Sequence, residues 1–140
     1  MPTLNRLNAA AAFALLAALA ACAPNSGGVR GYTAFAATAQ VTEIDADVPL
    51  QGFANCFRMR ATFLPFSTFV QGVDRFVYQL RAEDLWLEEM IVAPTKSGGI
   101  TGELRVSGIY DAGWREILER DRLPALAACQ TEAGIAQVSK

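Results

Sequence analysis

Any chemistry in this chain has to be built without imidazole. None of its 140 residues is histidine. Ser-His-Asp and Cys-His arrangements, and zinc sites that need an imidazole ligand, are therefore excluded within it. The three cysteines, Cys22, Cys56 and Cys129, are far apart and form no Cys-x-x-Cys pair of the redox type. Glu88 and Glu89 are adjacent carboxylates. On a strand they point to opposite faces, so they cannot act together at one point, and they read as solvated charges. Glu83, Asp84 and Glu103 could gather near a hairpin end, but they lack the pattern of a calcium loop, so no metal or cofactor is expected. In Lys96-Ser97-Gly98-Gly99 the Lys-Ser precedes the glycines, the reverse of a phosphate loop, and the segment reads as a turn. Arg58, Arg60, Arg75, Arg81 and Arg105 are scattered among acids and suit surface ion pairs. With a net charge of −2 and no basic stripe, nucleic acid is not an expected partner.

The first segment carries an address. Residues 1–8 are polar with one cation at Arg6, and residues 9–21 run AAAAFALLAALAA. A helix over 9–21 would rise about 20 Å, short of the roughly 30 Å hydrocarbon core, so it suits a signal-peptide core and not a spanning helix. Leu19-Ala20-Ala21-Cys22 follows at once. With that leader it resembles the lipobox of bacterial lipoproteins: Leu, two small residues, then the cysteine whose sulfur is acylated. The resemblance covers only residues 1–23. It implies cleavage before Cys22 and acyl chains on it, enough for stable anchoring where one chain would be marginal. Ala23, in place of Asp, implies the periplasmic face of the outer membrane. Leu126-Ala127-Ala128-Cys129 repeats the tetrapeptide without a leader and is coincidence. Residues 24–31, PNSGGVRG, have the composition of a flexible tether.

Export under that resemblance places the domain in an oxidising compartment and commits Cys22 to lipid. Cys56 and Cys129 then have one intramolecular pairing open to them. The bridge would close a loop of about 70 residues and contribute roughly 4 kcal/mol through chain entropy.

The elements that position these residues follow from periodicity. Residues 38–46 suit a first strand. Asp47, before Val48-Pro49, reads as the cap of a helix whose stripe is Phe53, Cys56, Phe57, Ala61 and Leu64, ending near Pro65. From Arg75 the period is two: Phe76, Tyr78 and Leu80 alternate with their neighbours. After a turn at 82–84, a third strand covers 85–92, with Trp86, Glu88, Met90 and Val92 assigned to one face. Residues 94–99 form a hairpin link, and 100–110 a fourth strand. Asp111 can cap a last helix through Trp114, Ile117, Leu118 and Asp121, with Pro124 kinking or restarting it before Leu126 and Cys129.

The expectation is an α+β fold of order β-α-β-β-β-α, a small antiparallel sheet with two helices on one face stapled by Cys56–Cys129. The organisation is signal peptide 1–21, lipidated N-terminus and tether 22–36, and a single domain 37–140. Residues 62–73 hold more apolar groups than a plain connection needs, so Phe63, Phe66 and Phe69 are the candidate partner or ligand surface. The expected role is non-catalytic: a membrane-anchored envelope lipoprotein that docks on or positions another envelope protein. The alternative is a binding module for a small amphiphile held between the layers.

Overall fold

The structure is a computed structural model that describes residues 28–108 and 112–132. Six antiparallel strands form one sheet: β1 Val29–Arg30, β2 Gln40–Ala46, β3 Ser67–Gln71, β4 Phe76–Ala82, β5 Leu85–Pro94 and β6 Ile100–Val106. Their order is β2-β6-β5-β4-β3, and β1 pairs with β5 where β6 has ended. The helices are α1 Tyr32–Thr38, α2 Leu50–Arg60, α3 Ala112–Ile117 and α4 Leu123–Glu132, with a π-helical segment, Leu118–Arg122, joining the last two. The fold is α+β, as expected, and the six expected elements lie within a longer order.

One face of the sheet makes the core. Ile44, Phe76, Tyr78, Leu80, Met90, Val92, Ile100, Leu104 and Val106 pack against Leu50, Phe53, Ala54 and Phe57 of α2 and Ala125, Leu126 and Cys129 of α4. Helices α2 and α4 are bridged by Cys56–Cys129, with Cα atoms 5.6 Å apart. Burial of these large side chains, at roughly 1.5–3 kcal/mol each, is the main stabilising term.

Several sequence expectations need correction. The domain begins earlier than residue 37, because Gly28–Thr38 belongs to the fold and not to a tether. A Cβ at Gly28 would lie 2.6 Å from Leu87 Cδ2, so only glycine lets the chain approach β5 so closely. Helix α1 lies on the second face of the sheet, where buried Phe35 stacks on Trp86 at 5.7 Å between ring centroids. Trp86 therefore faces away from Glu88. The pairs Leu80↔Glu88 and Arg81↔Trp86 enclose a β-bulge that leaves Leu87 unopposed, and the extra residue reverses the alternation.

Asp47 does not cap α2; Pro49 stands at the cap without a side-chain hydrogen bond. Helix α2 also stops before Pro65. The Thr62 N–H, which a longer helix would direct to the carbonyl four residues back, donates to both carboxylate oxygens of Asp121 at 3.0 Å. Strand β6 ends at Val106, and the expected cap Asp111 lies outside the described residues. Residues 67–71, read as part of a connection, form the edge strand β3. Pro124 acts as expected by interrupting the helix. It has no N–H, and its ring would collide with the carbonyl of Arg120. The widened turn absorbs this: the Leu123 N–H reaches back to Leu118 O.

Candidate functional site

The π-helical turn delivers a charge into the core. Arg122 falls on the stripe of Ala125, Leu126 and Cys129, and its side chain is 0% exposed. Its Nε donates to Glu88 Oε2 at 2.8 Å, where Glu88 is 1% exposed. Its Nη1 donates to Thr62 O at 2.6 Å and to Asp121 Oδ2. Its Nη2 donates to the Tyr78 hydroxyl at 3.3 Å. The guanidinium also lies 5.3 Å from the Phe63 ring centroid, a cation–π contact. Burial, and then the Glu88 carboxylate, push the Tyr78 hydroxyl pKa well above its ordinary value. For Arg122, burial alone would lower the pKa, but Glu88, Tyr78 and Asp121 outweigh it and hold the guanidinium charged.

Glu88 and Glu89 point to opposite faces, yet neither is a solvated charge. Glu89, 3% exposed, accepts from Tyr32 Oη and Gln79 Nε2, each at 3.0 Å, and lies 3.8 Å from Arg105 Nη1. That cluster fastens α1 to the second face. Arg105, expected at the surface, is thus a half-buried partner that also pairs with Glu103.

Beside Arg122 a cleft of about 380 Å³ opens between Thr62 and Leu64 on one wall and Glu116, Ile117 and Arg120 on the other. Asp121 and Arg122 complete its lining. The arrangement suits an electrostatic lock. Each nitrogen of the guanidinium is engaged, and one cation pins the 61–66 loop, the π turn and the sheet together. Glu88 is turned into this lock and away from the cleft.

The structure divides the phenylalanines singled out from the sequence. Phe63 and Phe69 meet edge-to-face at 4.7 Å and pack, half-buried, against Tyr78 at 5.2 and 5.4 Å. They belong to the core margin, and Phe66 alone of the three is at the surface, 61% exposed. Cys56 and Cys129 are joined, and Cys22 lies outside the described residues. Glu83, Asp84 and Glu103 do not converge: Asp84 binds Arg30 at 2.8 Å, while Glu103 sits across from Ile91 and Glu43 in the sheet. Among the described residues no group of acids or cysteines could hold a metal ion, and no helix is long and apolar enough to cross a membrane. Lys96-Ser97 lies in a turn closed by Thr95 N–H to Gly99 O at 2.8 Å.

Sequence reasoning missed Arg122. The signal was its spacing, four residues before Leu126 and seven before Cys129. Comparison of the chain with protein-family models, curated proteins and solved structures finds no match.

Proposed function

We propose that the protein is a lipid-anchored component of the bacterial cell envelope that works by docking on another envelope protein, with no chemistry of its own. Lipidation at Cys22 and placement at the outer membrane rest on the lipobox resemblance of residues 19–22 and on Ala23. The disulfide is consistent with an oxidising compartment. Arginine pairing of both buried carboxylates supports the non-catalytic reading, since each is committed to holding elements together.

The observation that carries docking is the second face of the sheet, of which α1 covers only the Trp86 end. Val70, Val77 and Ile91 stand in one cross-strand row there, with Val70 60% exposed. Glu103 and Glu43 continue the row, and Asp45 follows Glu43 on the same face of β2. Such a surface suits a partner with an apolar strip edged by cations. In-cell crosslinking of the tagged full-length protein, followed by capture and mass spectrometry, tests this. One dominant envelope partner is expected, lost in both Cys22→Ala and Val70→Glu. A capture profile that Val70→Glu leaves unchanged would remove this face from the proposal.

A second reading, binding of a small amphiphile, is favoured by the cleft. Leu64 and Ile117 offer apolar wall beside the Arg120–Glu116 ion pair. Native mass spectra of the purified protein distinguish it: a retained lipid-sized mass supports this reading, and a bare polypeptide counts against it.

A further inference from the structure

We infer that the end of the sheet carrying Phe66 rests against an anionic phospholipid bilayer, the one that receives the acyl chains of Cys22. The inference rests on the lipid-anchor reading and adds to it which surface meets the membrane.

The first argument is reach. Gly28 is the sixth residue after Cys22, so the extended chain between them spans at most about 20 Å. The point where the chain joins the sheet is thus held close to the headgroups.

The second argument is register. Val29 pairs with Trp86, and Trp86 with Arg81. Ser67, the first residue of β3, pairs with Leu80, which sets Phe66 beside Arg81. Val29, Trp86, Arg81 and Phe66 therefore follow one row across the sheet, and three strand spacings put Phe66 roughly 14 Å from Val29. The membrane-proximal end of the chain and the exposed phenylalanine share one end of the domain.

The third argument is chemistry. Met59, in the last turn of α2, is 86% exposed, and Leu64 and Phe66 follow in the adjoining loop, both exposed. Exposed Arg60 and Arg81 lie at this end as well, beside the Arg120–Glu116 and Arg30–Asp84 ion pairs and exposed Glu83. Apolar tips among cations match the interface of an anionic bilayer, where an aromatic ring sits at headgroup depth and arginine meets phosphate. Val73, also exposed, marks the opposite end, in the link between β3 and β4.

Lipidated full-length protein is to be placed on phosphatidylethanolamine–phosphatidylglycerol vesicles with plain or brominated acyl chains. Phe66→Trp and Val73→Trp are compared after subtracting the emission of wild-type protein. Brominated lipid should quench the emission added at position 66 and leave that at position 73 unchanged. Equal quenching at the two positions, or more at 73, overturns the inference. So does an unquenched position 66, and if Phe66→Asp then also removes a specific protein crosslink, the patch is a protein dock. Mass spectrometry of the N-terminal peptide separates the premise: an unacylated Cys22 overturns the anchor reading and this inference with it. An acylated Cys22 with unquenched Phe66→Trp overturns this inference alone.

Discussion

Arg122 and Glu88 form a fully buried ion pair, Nε to Oε2 at 2.8 Å, between the π-helical turn and the fifth strand. The charge on each side is tolerable only because the other is present, and because Thr62 O, Asp121 and Tyr78 accept the remaining donors.

Breaking the pair from one side should be costly. Arg122→Met or Glu88→Gln is expected to destabilise by about 3–5 kcal/mol, since each leaves a buried group without its partner. The double variant Glu88→Met/Arg122→Met should recover most of that loss. Urea denaturation reads all three. A single-variant loss below about 1 kcal/mol would put the pair with exposed ones and sink the idea of a lock.

Alkaline pH should loosen the fold through Tyr78. Its hydroxyl is raised, first by burial and then by Glu88, above the ordinary value of about 10. Above that value the unfolded chain releases the tyrosine proton while the folded chain keeps it. The folded state then binds more protons, and stability falls as pH rises, by up to about 1.4 kcal/mol per pH unit for this group. Below pH ~9 no slope is expected from it. Denaturation midpoints measured across the alkaline range should fall less steeply in Tyr78→Phe; an unchanged slope would assign the effect elsewhere.

The disulfide joins positions 73 residues apart. Cys56→Ala and Cys129→Ala should each lose about 4 kcal/mol, and the double variant little more, because either one opens the same loop. Cys129 is fully buried, so its truncation also leaves a small cavity and should be the more damaging of the two. Thermal melts in oxidising and reducing buffer check this, and clearly additive losses would contradict it.

Two phenylalanines in one short stretch should separate cleanly. Phe66→Asp is expected to change stability by no more than about 0.5 kcal/mol, as surface substitutions do. Phe69→Asp removes a ring packed between Phe63, Phe76 and Tyr78 and buries a carboxylate in its place. It should cost about 3–5 kcal/mol or prevent folding. Circular dichroism and melting of both variants decide. An unfolded Phe66→Asp would make that residue core and remove it from any binding surface.

Much of the sheet was legible in the sequence because alternation is local. Phe76, Tyr78 and Leu80 reveal the buried face of their strand without knowledge of what covers it. The spacing of Phe53 and Phe57 likewise shows the inner side of α2. Strand β1 and helix α1 were illegible. Residues 29–36 read as tether, and β5, more than fifty residues later, supplies the ladder partners of β1 and the apolar partner of Phe35. The candidate site suffered the same way. A charged Arg122 after Asp121 reads as surface until the π turn and Glu88, 34 residues away, explain its burial.

By itself the sequence determined the α+β class, the pairing open to Cys56 and Cys129, the absence of imidazole chemistry within the chain, and the restart of the α-helix at Pro124. These depend on residue identity, near-neighbour periodicity or counting, all of which survive in an unfolded chain. Only the tertiary structure decided that a bulge at Leu87 turns Trp86 to the second face. It also decided that Asp121 ends α2 by capturing the Thr62 N–H, and that Phe66 is exposed while Phe63 and Phe69 are not. Each of these depends on a partner brought close by folding, and the free energy of a long-range hydrogen bond or ring contact exists only once that partner has arrived.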